Sequence, residues 1–203
     1  MAGQRCYLAR MAEPDPKPYH HGDLRSALLT AAEAELAERG VEGFSLRSVA
    51  KRAGVSHAAP AHHFGDAGGV LTALAADGFR RFLGYQNRRE AVAARDPRSQ
   101  VTAAGLGYVD FALERPTLFR LIFGSSRLNR DDAEFVAAAT AAYQHLHDQA
   151  KAMGGAAEDA DAFWAMAHGL ADLVMSGRLK SLSQRSAGER DAAVAAMLGR
   201  VIG

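Results

Sequence analysis

The chain has 203 residues, 48% hydrophobic and 23% charged, a mix typical of a globular protein rather than a disordered or fibrous one. Its 24 Lys and Arg residues nearly balance its 23 Asp and Glu residues, so the net charge of +1 indicates no partner and electrostatic arguments have to be local. The single cysteine, Cys6, excludes an internal disulfide framework.

The amino-terminal segment, residues 1–18, predicts a disordered arm because it holds three of the six prolines and mixed charge. It lacks the apolar core of a signal peptide, and no stretch of the chain approaches the roughly 20 apolar residues of a membrane span. We therefore expect a cytoplasmic protein without membrane contact. Met1 and Met11 are both candidate starts.

Beyond the arm the pattern is helical almost throughout, because Ala and Leu dominate and no sustained apolar–polar alternation indicates strands. Capping residues and prolines mark most of the boundaries, such as the N-cap Asp96 and the first-turn Pro97 of the fifth helix. The sequence predicts an all-α protein of about nine helices. They run from about 23 to 39, 46 to 53, 57 to 64, 66 to 94, 97 to 114, 116 to 124, 131 to 154, 158 to 179 and 189 to 201.

The segment 45–64 carries a helix-turn-helix pattern. Its first helix has an apolar face, and Gly54 permits a tight turn because glycine tolerates positive φ. Ser45 is the expected N-cap of the first helix and Ser56 that of the second. A helix, a glycine-containing turn and a capped short helix are typical of this motif.

The same segment is locally basic. Between Ser45 and Gly65 the ionised residues are Arg47, Lys51 and Arg52, with no Asp or Glu. Such a patch suits phosphate groups. An ordinary helical hairpin with a solvated basic face is the alternative.

Several linked segments closely resemble the N-terminal domain of TetR-family transcriptional regulators. They are His20-His21-Gly22-Asp23-Leu24-Arg25, Ala37-Glu38-Arg39-Gly40, Ser45-Leu46-Arg47, Val49-Ala50, Arg52-Ala53-Gly54-Val55-Ser56 and His62-His63-Phe64. Two later segments resemble the WHG-type ligand-binding domain found in one branch of that family. They are Leu113-Glu114-Arg115-Pro116 with Leu118-Phe119-Arg120-Leu121-Ile122-Phe123, and Trp164 with His168-Gly169.

The resemblance implies a helix-turn-helix DNA-binding head at 19–82 and a helical ligand-binding and dimerisation domain at 83–203. It implies a regulator, most often a repressor, that leaves its double-stranded DNA operator when a small-molecule effector binds; activation stays open. The resemblance also implies that the third helix of the head enters the major groove of the DNA. The DNA-binding residues implied by the resemblance and by the basic patch are Ser45, Arg47, Ser56, His57, Ala58, Ala61, His62 and His63.

The chain departs from the family pattern at two phosphate-contacting positions. Ala61 stands where relatives usually have Tyr, and Ala67 where they usually have Lys. Gly68 and Gly69 follow, and they predict a weakened first turn of the fourth helix. A helical regulator that has lost DNA binding and acts through protein contacts is therefore an alternative.

The carboxyl-terminal half predicts a dimer and a small-molecule site. The eighth helix is apolar almost all round and the last helix carries an apolar stripe, so the last two helices can form a four-helix bundle in a homodimer. Packing inside a monomer is the alternative. The candidate ligand-binding residues, which plain core packing also explains, are Phe111, Leu118, Phe119, Phe123, Tyr143, Trp164, His168 and Met175.

A histidine-based metalloenzyme is the remaining alternative. Adjacent histidines such as His62 and His63 point about 100° apart on a helix, so they cannot easily chelate one ion. No His-Glu-x-x-His motif, nucleophile turn or phosphate-binding glycine loop occurs. We expect no catalytic residues, no metal site and no cofactor.

Overall fold

The computed structural model describes residues 21–201, with side chains from Leu24 onward. The predicted arm at 1–18, and His20 with the side chain of His21, lie outside the described residues. In this range the chain forms ten α-helices and no strands. They are α1 (His21–Arg39), α2 (Leu46–Ala53), α3 (Ala59–Phe64), α4 (Ala67–Val92), α5 (Pro97–Glu114), α6 (Pro116–Gly124), α7 (Ala133–Ala152), α8 (Ala157–Met175), α9 (Lys180–Ser183) and α10 (Ala187–Leu198).

The structure has one helix more than predicted, because α9 lies between the helices that the sequence predicts over 158–179 and 189–201. α8 ends at Met175, and Gly177 takes a left-handed φ of 69°, a conformation that terminates helices. The chain then forms the single turn α9. The last helix also begins earlier than predicted, at Ala187, because Glu189 accepts a hydrogen bond from the Ser186 backbone N–H at 3.1 Å.

Aspartates cap two further helices: Asp96 at α5, as predicted, and Asp66 at α4, near which the sequence places the start of that helix. The Asp96 side chain accepts a hydrogen bond from Ser99 N at 2.9 Å, and the Asp66 side chain accepts one from Gly69 N at 2.8 Å. A Cβ on Gly69 would lie 1.8 Å from the carbonyl oxygen of Phe64. Gly69 therefore permits the close approach of α3 to the capped start of α4, so this glycine has a structural role that its helix propensity does not indicate.

Helix α4 connects the two halves of the molecule. It contacts α1 and α3, which precede it in the sequence, and α5, α6 and α7, which follow it. Its buried residues, from Val70 and Leu71 to Phe82 and Tyr85, belong to one continuous hydrophobic core. The predicted domain boundary at residue 82 lies inside this helix, so the head and the body share a single rigid element.

Helices α4 and α5 approach unusually closely at Gly107. A Cβ there would lie 2.6 Å from the Cα of Gln86 and 2.7 Å from the carbonyl oxygen of Tyr85. Nearby, Arg89 of α4 makes two hydrogen bonds to Asp110, at 2.6 and 2.9 Å. The hydrogen bonds to Asp110 raise the pKa of Arg89, so Arg89 stays charged and its two bonds to Asp110 fix the register of the two helices.

The carboxyl-terminal helices have both buried and exposed apolar residues. Val194 and Leu198 of α10, which belong to the predicted stripe, are buried within this chain. The outer face of α8 exposes Met166 and Leu173, which are 36% and 38% exposed and lie two turns apart on the same face. Gly169 lies between them, and a Cβ there would meet nothing within 4 Å.

Candidate nucleic-acid interface and ligand cavity

The first helix and the turn of the helix-turn-helix are formed as the sequence predicts. The Ser45 hydroxyl accepts from Ser48 N, and Gly54 takes a φ of 68° after α2. Val49 and Ala50 are buried in the core of the head, and the Val55 N–H donates to the Ala50 carbonyl at 3.1 Å. These contacts fix the angle at which α3 follows α2.

The start of α3 corrects the sequence prediction. Ser56 is not its N-cap; the helix begins at Ala59, after Ala58, and no side chain caps it. With Ser56 as cap, Pro60 would have to donate to the Ser56 carbonyl, and proline has no N–H. The first α-type hydrogen bond therefore runs from His62 N to Ala58 O, at 2.9 Å. His57 and Ala58 precede the helix, in the turn at its amino end.

Of the eight candidate DNA-binding residues, Ser45 caps the start of α2, and the other seven lie on α2, on α3 and in the turn between them. Ser45 and His63 are half-buried, and the others are exposed. The rings of His62 and His63 meet edge to face, with centroids 5.5 Å apart. The exposed residues are Arg47, Ser56, His57, Ala58, Ala61 and His62.

Arg52 differs from the other basic residues of this segment. Its Nε donates to Glu35 at 2.8 Å, and its second nitrogen pairs with Glu38. Glu35 is only 2% exposed. The hydrogen bond to Glu35 raises the pKa of Arg52, and Arg52 in turn lowers the pKa of Glu38. Arg52 therefore neutralises carboxylates of α1, and the exposed Arg47 and Lys51 are left as the basic residues of α2 that can face a phosphate.

The body contains a partly open cavity of about 280 Å³. Rings from five helices form most of its wall, together with Gln86 on α4 and Arg130 before α7. Its lining residues are Phe79, Phe82, Gln86, Tyr108, Ile122, Phe123, Arg130, Ala139, Ala142, Tyr143, Leu146, Phe163, Trp164 and Ala167.

Three of the eight candidate ligand residues, Phe123, Tyr143 and Trp164, line this cavity. The other five lie behind it or elsewhere in the core. Phe111 and Leu118 are fully buried. The ring of Phe119 stacks on that of His168 at 5.2 Å, and Met175 packs against the core.

Sequence reasoning missed the α4 wall of the cavity. Phe79, Phe82 and Gln86 recur at spacings of three and four, so they share one helix face. That spacing is a usable signal, but a buried linking helix shows it whether or not a cavity is present.

A hydrogen-bond chain crosses the cavity wall. The Trp164 indole N–H donates to the Tyr108 hydroxyl at 3.1 Å, and that hydroxyl lies 2.9 Å from Nδ1 of His168. Burial raises the pKa of Tyr108 and lowers that of His168, so both side chains are neutral near pH 7. Because the Trp164 N–H donates to the Tyr108 hydroxyl, both hydrogen bonds can form when that hydroxyl donates to Nδ1 of His168.

Comparison with known proteins connects both regions to one family. Residues 28–74 match the model described as bacterial regulatory proteins, tetR family, and residues 101–201 match the tetracyclin repressor-like C-terminal domain. The chain belongs to the TetR family. The TetR family consists of transcriptional regulators and is non-enzymatic, so the family, the all-α fold and the non-catalytic role expected from sequence are confirmed.

The relatives of this TetR-family protein cover it to different extents. The HTH-type transcriptional regulator BetI of Burkholderia cenocepacia HI2424 is 37% identical over 79 residues, which are 39% of this chain and 41% of that protein. A protein of unknown function from Rhodococcus sp. RHA1 is 35% identical, with a TM-score of 0.75 over 91% of this chain and 98% of that one. A TetR variant from Acinetobacter baumannii AYE in complex with minocycline shares the fold, with 20% identity, a TM-score of 0.54, and coverage of 86% of this chain and 92% of that one.

Two kinds of site are absent from the described part of this TetR-family chain. Within it, no three His, Cys, Asp or Glu side chains are grouped so as to hold a metal ion. None of the helices between residues 21 and 201 combines the length and apolar character that crossing a bilayer requires.

Proposed function

We propose that this regulator is a cytoplasmic repressor whose homodimer binds an operator through α3 and leaves it when a small molecule fills the body cavity. The single observation that carries the proposal is that one helix, α4, both packs against the head and lines the cavity with Phe79, Phe82 and Gln86. A ligand that changes the position of this helix changes the position of the head.

In the proposed DNA complex, the amino end of α3 faces base edges. His57, Ala58, Ala61 and His62 are the base-reading candidates, and Ser45, Arg47, Ser56 and His63 are the phosphate-contacting candidates. Phosphate contacts set affinity and salt dependence, whereas base contacts set sequence preference. Arg47 and Lys51 then compensate for the alanines at 61 and 67.

The proposed dimer uses the last two long helices, α8 and α10. Met166 and Leu173 give α8 an exposed apolar face, and Gly169 between them leaves room for a partner helix. Ala192 and Ala196 give α10 an exposed face of small side chains. Four such helices, two from each chain, form a bundle. Trp164, His168 and Gly169 also lead us to assign the C-terminal domain to the WHG type.

Contacts between head and body support the proposed coupling. Arg127 donates to the Val41 carbonyl at 2.7 Å, and Asn129 N donates to the Thr72 hydroxyl at 3.0 Å. Glu33 of α1 pairs with Arg115, which precedes α6, at 3.4 Å. A differential ligand affinity of about 1–3 kcal/mol between two head positions is the usual size of such coupling. In the minocycline complex of the TetR variant, the same fold holds a small molecule.

Fluorescence anisotropy with a labelled duplex from the chain's own upstream region tests the DNA-binding assignments. We expect His63→Ala to weaken binding to this duplex and to an unrelated duplex by the same factor. His57→Ala should change the ratio between the two duplexes. Ala34→Ser, on the exposed face of α1, is the control for substitution itself. If both histidine variants bind both duplexes like the unmodified protein, α3 is not the reading helix.

A further inference from the structure

We propose that the body cavity takes an uncharged aromatic molecule that bears a hydrogen-bond donor, and that Gln86 binds this donor. This inference rests on the proposed function and specifies the chemical class of its effector.

Aromatic rings from five helices line the cavity, and several of them pack against each other. The Phe82 and Tyr108 rings meet edge to face at 4.8 Å, and those of Phe79 and Phe123 at 5.8 Å. Flat rings pack well on such surfaces by offset stacking or edge contacts. A volume of about 280 Å³ suits a small monocyclic or bicyclic compound, since it lies just below the range usual for drug-sized ligands.

Gln86 is a polar residue of this wall whose side-chain oxygen lacks a hydrogen bond within the described part of the chain. Its side chain is 4% exposed, and its buried Oε1 has no hydrogen-bond partner among the residues that the structure describes. A buried acceptor without a donor is unfavourable. Its terminal amide torsion has a broad minimum, so a modest rotation turns the oxygen toward a donor in the cavity.

The neighbouring polar groups are already engaged. The Trp164 N–H and the Tyr108 hydroxyl belong to the chain that ends at His168. Glu90, one turn beyond Gln86, accepts hydrogen bonds from His145 at 2.6 Å and from Gln149 at 3.3 Å. A ligand donor placed among the buried rings therefore finds an open acceptor at Gln86, whereas Tyr143, which bears the other hydroxyl of the lining, is 48% exposed.

The charges around the cavity favour a neutral ligand. No carboxylate is among the lining residues, so a cation would have aromatic faces but no counter-charge. Arg130 is the one charged lining residue; it is exposed and donates to the Ser125 carbonyl at 3.4 Å. A ligand charge placed deep among the rings would lose its hydration without a partner.

The sole tryptophan, Trp164, lines the cavity and reports on its occupancy without a label. We would titrate the full chain with para-tert-butylphenol, its methyl ether, para-tert-butylbenzoate and benzyltrimethylammonium, following tryptophan fluorescence excited at the red edge of its absorption. We expect the phenol to bind about tenfold more tightly than its ether, the factor that one ordinary buried hydrogen bond supplies.

In Gln86→Leu and in the longer, unbranched Gln86→Met, this preference for the phenol should disappear while both compounds still bind. Gln144→Met, an exposed glutamine on α7, is the matched control and should keep the preference. Circular dichroism shows whether each variant is folded, and either folded Gln86 variant suffices.

Three results would overturn the inference: tightest binding by the benzoate with loss in Arg130→Gln, tightest binding by the ammonium compound, or no quenching by any probe. DNA anisotropy separates this failure from failure of the proposed function. If the protein binds its operator but no probe quenches the Trp164 fluorescence, the proposed ligand class is wrong and the proposed DNA binding stands. Gln86-dependent phenol binding that leaves the DNA complex intact supports the ligand class and contradicts effector release.

Discussion

Replacing Arg52 with Met should destabilise the head without removing a phosphate contact. The substitution keeps an apolar stem but leaves the Glu35 carboxylate, 2% exposed, without its 2.8 Å partner. Removing one partner of a fully buried ion pair costs about 3–5 kcal/mol. Because Arg52 is 34% exposed, water can replace part of the interaction, and we expect a loss of about 2 kcal/mol in the free energy of unfolding.

Thermal unfolding followed by circular dichroism measures this loss. For a chain of this length, about 2 kcal/mol corresponds to a decrease in Tm of roughly 4–8 °C. Adding Glu35→Gln to Arg52→Met should restore at least half of the stability, since the double variant buries no unpaired charge. Well below the transition, the salt dependence of DNA binding should be unchanged. An Arg52→Met protein with unaltered Tm, or one with a reduced salt slope, would refute the assignment of Arg52 to the head's internal ion pairs.

Four further substitutions test the packing of α4, the DNA interface and the histidine behind the cavity wall. Gly84→Ala should stabilise the protein by about 1 kcal/mol through helix propensity, because a Cβ there meets nothing within 4 Å. Gly107→Ala should instead destabilise it by about 1–3 kcal/mol, because its Cβ meets the α4 backbone; equal effects in urea unfolding would contradict the close approach of α4 and α5. Arg47→Gln should reduce the slope of log affinity against log salt by about 1, whereas an unchanged slope would exclude a phosphate contact. Finally, burial lowers the pKa of His168 in the folded protein, so on acidification the unfolded chain takes up this proton before the folded one does. The free energy of unfolding should therefore fall as the pH decreases from 7 through the ordinary histidine range. Urea titrations at several pH values should show a flatter dependence for His168→Gln.

The helices and the motif were predictable because their signals are local. Ser45, Gly54, Asp96 and Pro97 each act within one turn of their own position, and the structure uses them as the sequence indicates. The start of α3 is also a local matter, but the prediction of Ser56 as its cap is wrong, because Pro60 has no N–H to donate to the Ser56 carbonyl.

The electrostatics of the head and the shape of the cavity depend on contacts between distant helices. Arg52 counts toward a basic patch in the sequence, but Glu35 of α1, 17 residues earlier, neutralises it in the fold. Periodicity identifies Phe111 and Phe123 equally well as buried aromatic residues. The ring of Phe123 meets Phe79 on α4 and His168 on α8 and borders the cavity, whereas the ring of Phe111 packs against Phe82 and does not line it.

Hydroxyl-radical footprinting of the full chain on DNA from its own upstream region tests most directly whether paired α3 helices read a duplex. We expect two protected patches on one face of the duplex, with centres about 34 Å or ~10 base pairs apart, that persist when unlabelled unrelated DNA is added. Uniform protection that the unrelated DNA abolishes, or a single isolated patch, would contradict recognition by a dimer of reading helices.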